Sequence, residues 1–135
     1  MAVIEIRVET ERPYKVLIGR DLLKGIGESL SPLHGPCSAA LVTDGTVDLL
    51  YGGTAAASLA RAGFRVARHA IPPGERSKTM DRLSLLLEFL AEEGFTRTDL
   101  IVALGGGVVG DLAGFAASVY ERGIPYIQVP TTLLA

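Results

Sequence analysis

The chain has 135 residues, of which 48% are hydrophobic and 21% charged, and a formal net charge of −2. This is the balance of one globular domain with a real core; it excludes wholesale disorder and any basic field for nucleic acid or anionic lipid. Cys37 stands alone, which excludes a disulfide framework and a thiolate metal cluster, and no apolar run approaches the roughly 20 residues of a membrane span. The start, "MAVIEIRVETE", breaks its apolar residues with charges and lacks the core of a secretory signal, so the expected compartment is cytoplasmic.

Val3, Ile4, Ile6 and Val8 alternate with Glu5, Arg7 and Glu9, the period of a strand. The turn "TERP" leads to "YKVLIG", predicted as a second strand antiparallel to the first. Asp21 is placed to cap a helix over "LLKGIGESL", and "SPLHGP", which contains His34, reads as a loop. The rhythm then becomes strand, turn, helix. "SAALVTD" is a short buried strand, and "TVDLLYGGTAAASLARAG" a helix ending at Gly63, weakened by Gly52 and Gly53 at about 1 kcal/mol each. "FRVARHAI", which carries His69, is a strand, and "PPGERSK" a loop. "TMDRLSLLLEFLAEEG" is the clearest helix, with Met80, Leu83, Leu86, Leu87 and Leu90 at helical spacing. "DLIVAL" is a continuous apolar strand, "VVGDLAGFAASVY" a Gly- and Ala-rich helix and "PYIQVP" a last strand before "TTLLA".

This alternation predicts an α/β fold: an open, mostly parallel, Rossmann-like sheet with helices on both faces and an N-terminal antiparallel strand pair. Ligands of such sheets sit beyond the carboxyl ends of the strands. There, "VALGGGVVGDLAGF" places Gly105, Gly107 and Gly110 in a G-x-G-x-x-G pattern between a strand and a helix. Glycines let a backbone approach a pyrophosphate, and free N–H groups of the following helix favour its charge. The same glycines also suit a tight corner, and the acidic residue of the usual dinucleotide fingerprint is missing, since the next strand ends "QVPTT". Four polar clusters share this rim. Asp44 is a ribose acceptor or a helix cap; Glu75 and Lys78 are cofactor ligands or a solvated pair. Asp111 binds a cofactor group or complements the helix dipole, and Thr131 and Thr132 offer hydroxyls past the last strand. The chain stops on apolar residues and reads as the N-terminal part of something longer, with residues 1–135 forming one nucleotide-binding domain.

"GGGVVGDLAGFAASVYERGIPYIQVPTTLLA" closely resembles the core segment of the 3-dehydroquinate synthase family, while "PPGERSK" and "VTDGTV" resemble that family's cofactor loops. The resemblance implies an NAD domain followed by a helical domain that carries a divalent metal, zinc or cobalt, with no metal ligand in this chain. It implies contacts to NAD from Asp44, Gly74, Glu75, Lys78, Gly106, Gly107, Val108, Asp111, Thr131 and Thr132. Arg122, in "YERG", resembles an arginine that reaches the sugar-phosphate substrate, from the neighbouring subunit of a homodimer. The implied reaction of the longer protein turns 3-deoxy-D-arabino-heptulosonate 7-phosphate into 3-dehydroquinate and phosphate, and this chain alone is expected to be silent. The alternatives are another sugar-phosphate cyclase or a non-catalytic NAD-binding or dimerisation module. "PGERSK" and "YERGIPYIQVPTT" argue against an iron-dependent alcohol dehydrogenase.

Overall fold

The computed structural model describes residues 3–133 and 135; residues 1, 2 and 134, and with them the ends of the two terminal readings above, lie outside the described residues. Strands β1 (Ile4–Val8) and β2 (Tyr14–Ile18) pair antiparallel, Ile6 opposite Val16. A 3-10 turn over Leu22–Gly25 leads into helix α1 (Ile26–His34). Then come β3 (Ser38–Asp44), a helical stretch made of α2 (Gly45–Val47), a widened turn (Asp48–Gly52) and α3 (Gly53–Arg61), and β4 (Arg65–Ile71). Helix α4 (Met80–Glu92), β5 (Leu100–Gly105), α5 (Gly107–Val119) and β6 (Tyr126–Pro130) complete the order.

The main sheet is parallel throughout, in the order β4-β3-β5-β6. From β3 the chain moves outward to β4, returns past β3 to β5, and continues to β6. Progress therefore reverses between β3 and β5, and their carboxyl ends, Asp44 and Gly105, border the crevice where such sheets hold ligands.

The period of two along each strand sorts side chains into two cores. Ala40, Val42, Ile101 and Ala103 face Leu83, Leu86 and Leu90 of α4 and Leu112, Ala113 and Ala116 of α5. Ala39, Leu41, Val102 and Leu104 face Ile26 and Leu30 of α1 and Ala55 and Leu59 of α3. Strand β5 is buried along its whole length, which is why its sequence is apolar without alternation.

Four local expectations are corrected. Asp21 caps nothing with its side chain: it sits in the left-handed region (φ 55°), and Gly25 interrupts the helix before α1 starts. "SPLHGP" is not all loop, because α1 runs through Pro32 to His34. Proline there removes only the bond to Glu28, and the turn is still closed by Gly35 N–H donating to Ser31 C=O at 3.0 Å. Met80, read as core, is 72% exposed at the first position of α4, whose N-cap is the Thr79 side chain accepting from Arg82 N–H. Gly52 and Gly53 are not equivalent. A β-carbon at Gly52 would lie 2.6 Å from Arg68 Nη2 and still closer to Asp48, so this glycine makes room for their ion pair, whereas Gly53 faces open space.

His69 is half-buried on β4 against the Phe89 ring, 4.8 Å between centroids. Burial, and then the Arg82 charge, lower its pKa from the usual 6.5. The unfolded chain binds this proton more readily than the folded one. This stability contribution is therefore complete above pH 6.5 and is lost as pH falls from 6.5 through the lowered folded value. Urea midpoints measured from about pH 7 down to 5 should fall more steeply for the wild type than for His69→Gln. Parallel curves would remove His69 from the pH response.

Candidate functional site

The carboxyl ends of the four parallel strands carry the rim that the sequence singled out. Asp44 ends β3, and its Oδ1 accepts from Val47 N–H at 2.9 Å, so the helix-cap reading holds for one carboxylate oxygen. After β4, Gly74 turns the chain at φ 101° into a 3-10 turn over Glu75–Ser77, and the Ser77 hydroxyl anchors the loop by donating to Pro72 C=O. Lys78 follows. Its Nζ reaches Asp111 Oδ2 in the first turns of α5 at 2.9 Å and Glu75 Oε2 at 3.6 Å. The hydrogen bond that Nζ donates to Asp111, then the charges of Asp111 and Glu75, raise the Lys78 pKa above the usual lysine value. Past β6, Thr131 N–H donates to Gly105 C=O at 3.1 Å and ties the threonine turn to the glycine turn.

The four glycines divide by what surrounds them. A β-carbon on Gly105 would lie 2.7 Å from Val109 Cγ2, one on Gly110 2.9 Å from Gln128 Oε1, and one on Gly106 3.2 Å from Thr132 Cγ2. Gly105 satisfies the tight-corner reading and Gly106 is close-packed on Thr132, whereas the Gln128 Oε1 beside Gly110 ends a flexible, exposed side chain. At Gly107 a β-carbon meets none of the described residues within 4 Å, so the tight-corner reading does not explain it. Helix α5 has Gly106 at its cap with no side chain bonded to the first turn, so the N–H groups of Gly107, Val108 and Val109 keep their donor capacity. Val108 is half-buried and packs its side chain on the α4/α5 core.

Arg122 is not brought to this rim. It lies past the far end of α5, near the amino end of β6, in a 3-10 turn where Glu121 (φ 49°) and Arg122 (φ 64°) both hold left-handed backbone. Such consecutive non-glycine residues cost on the order of 1–3 kcal/mol each, a strain found where a turn must aim a side chain. The sequence reading missed an open pocket of about 320 Å³ beside the Lys78–Asp111 pair, lined by Met80, Leu83, Leu112 and Phe115. Its signal was the spacing of Asp111 and Phe115, four apart on α5, together with Met80 directly after the loop. Burial and then the Asp99 charge push the half-buried Cys37 thiol up from its usual range.

The family model for the 3-dehydroquinate synthase N-terminal domain matches residues 68–135, from the middle of β4 through the glycine turn to the threonines. The chain belongs to the 3-dehydroquinate synthase family. The 3-dehydroquinate synthase of Clostridium kluyveri is 46% identical over 135 residues, covering 100% of this chain and 37% of the relative. Among solved structures, a 2-deoxy-scyllo-inosose synthase complexed with carbaglucose-6-phosphate, NAD⁺ and Co²⁺ superposes with a TM-score of 0.85 at 29% identity, over 97% of this chain and 35% of that one. ValA, the 2-epi-5-epi-valiolone synthase of Streptomyces hygroscopicus with NAD⁺ and Zn²⁺ bound, gives 0.78 at 32% identity, over 95% and 35%. An NADH-dependent butanol dehydrogenase of Thermotoga maritima at 18% identity and a 1,3-propanediol oxidoreductase at 23% share the fold alone. The chain spans about a third of the length of the curated relatives it matches. Among the described residues, no helix is long and apolar enough to cross a membrane.

Proposed function

We propose that this chain is the NAD-binding part of a cytoplasmic, homodimeric 3-dehydroquinate synthase. The whole protein then converts 3-deoxy-D-arabino-heptulosonate 7-phosphate to 3-dehydroquinate and phosphate. One observation carries the reading: Gly107 opens the first turn of α5 although none of the described residues lies within 4 Å of the place a β-carbon would take there. A missing side chain in open space, next to uncapped helix N–H groups at the reversal point of the sheet, suits a diphosphate approaching the backbone. NAD bound to the two related cyclases supports the same reading.

The residues divide the cofactor between them. The N–H groups of Gly107 and Val108 bond the diphosphate, with Gly106 beside them. Asp44 keeps one carboxylate oxygen free of its cap for the adenosine ribose hydroxyls. The loop of Gly74, Glu75 and Lys78 meets Asp111 across the pocket, and the lysine fixes that carboxylate as an acceptor for the second ribose. Thr131 and Thr132 close the nicotinamide side. When bound, NAD⁺ supplies a hydride acceptor that returns the hydride within each turnover. Arg122 stands at the opposite edge of the sheet, so we assign its guanidinium to the phosphate of substrate held by a second copy.

Among the described residues no three His, Cys, Asp or Glu side chains gather into a cation site. We assign the divalent ion, zinc or cobalt, to the rest of a longer protein, as its presence in the two related cyclases supports. The chain alone then binds cofactor without turnover.

Calorimetric titration with NAD⁺ tests the reading. The wild type should give a saturable heat, and Lys78→Met should weaken binding by about tenfold, roughly 1.4 kcal/mol. Removing the ammonium leaves Asp111 and Glu75 as unpaired negative charges beside the cofactor. No heat at millimolar NAD⁺, or an unchanged affinity in the variant, would contradict it.

A further inference from the structure

The helical stretch after Asp44 is not a plain helix. At about 3.6 residues per turn Val47 would stand about 80° round the axis from Ala55, and the residue inserted by the widened turn over Asp48–Gly52 brings them to within about 20°. Val47 then packs against the same core as Ala55 and Leu59. The widening carries Leu49 and Leu50 out to solvent, where they are 87% and 63% exposed, so their side chains do little to hold the turn.

The turn is tied to the sheet by an ion pair instead. Arg68 lies on β4 opposite Leu41, on the face that Val66 turns to that core, and its Nη2 donates to Asp48 Oδ1 at 2.5 Å. Gly52 is buried beside the pair and has no side chain to displace it. Both partners remain partly open to water, and a pair of that kind adds little to global stability. Its weight lies in what it positions. Asp48 directly follows Val47, whose N–H holds Asp44 Oδ1 at 2.9 Å. Fixing Asp48 to β4 therefore fixes the donor that orients the Asp44 carboxylate, and with it the direction of the second oxygen. We propose that Arg68 is a positioning residue for the cofactor: through Asp48 and Val47 it aims Asp44 at the adenosine ribose. The proposal rests on the NAD reading above and adds a residue to it.

Calorimetric titration with NAD⁺ of the wild type, of single variants and of one double variant tests it, with a melting curve on each preparation. Arg68→Met should weaken binding about tenfold and leave the chain folded. Asp48→Ala breaks the pair from its other side and should give the same loss. Asp44→Asn keeps the cap through its carbonyl oxygen but turns an amide donor to the ribose, so it also weakens binding. In that background Arg68→Met should cost nothing further, because the acceptor it aims is already gone. An unchanged affinity in Arg68→Met or in Asp48→Ala, or the same further loss when Arg68→Met is added to Asp44→Asn, overturns the positioning role and leaves the NAD reading standing. A wild type that gives no heat at millimolar NAD⁺ overturns both.

Discussion

Gly107→Trp lowers the affinity of the chain for NAD⁺ by about 100-fold, roughly 2.7 kcal/mol, and leaves its thermal stability unchanged. The two halves of this result have separate causes. Gly107 is exposed at the first position of α5, and among the described residues no atom lies within 4 Å of a β-carbon there. The fold therefore accepts an indole, as it accepts most exposed substitutions. The space that the indole fills is the approach to the N–H groups of the first helical turn. Calorimetry with NAD⁺ and a melting curve on the same preparation check both halves. A tryptophan variant that binds as tightly as the wild type would show that the diphosphate lies elsewhere.

Gly27→Leu destabilises the chain by about 3 kcal/mol, roughly 12 °C in melting temperature. This glycine is buried where α1 crosses α3, and a β-carbon there would stand 2.2 Å from the Ser58 carbonyl oxygen and 2.8 Å from Ala62 Cβ. Neither is the end of a flexible side chain, so the helices must part. Parting them stretches the bond from Gly27 N–H to Ser58 Oγ, now 3.0 Å, and opens the core of Ile26, Leu30, Ala55 and Leu59. Gly53→Ala is the control. It sits in open space inside the helical stretch and should gain up to about 1 kcal/mol. Equal melting temperatures for Gly27→Leu and the wild type would show that α1 does not pack on α3 this closely.

The alternation of strands and helices was legible because two patterns dominate the chain: a period of three to four residues along α4, and a wholly apolar buried run in β5. The position of the rim followed from the alternation. What was not legible depended on contacts between distant residues. The glycine pattern reads as one motif, yet its three members differ: Val109 crowds Gly105, only the movable end of Gln128 meets Gly110, and none of the described residues meets a β-carbon at Gly107. Lys78 and Asp111 belong to different strand–helix units, and only the packing of α4 beside α5 makes them an ion pair. The helix through Pro32, and Asp21, whose carboxylate pairs with Lys24 Nζ at 3.4 Å and caps no helix, depart from the sequence pattern for the opposite reason. A local preference of about 1–3 kcal/mol was allowed to decide where the core and neighbouring bonds decide instead.

The claim that the glycine turn is a cofactor cradle is tested most directly by following every backbone amide of the isotope-labelled chain by NMR while NAD⁺ is added. The account predicts the largest shifts at Gly106, Gly107, Val108 and Val109, smaller ones around Asp44, Lys78 and Thr131, and none at Arg122. Shifts centred away from the first turn of α5, or a spectrum unchanged at millimolar NAD⁺, would contradict it.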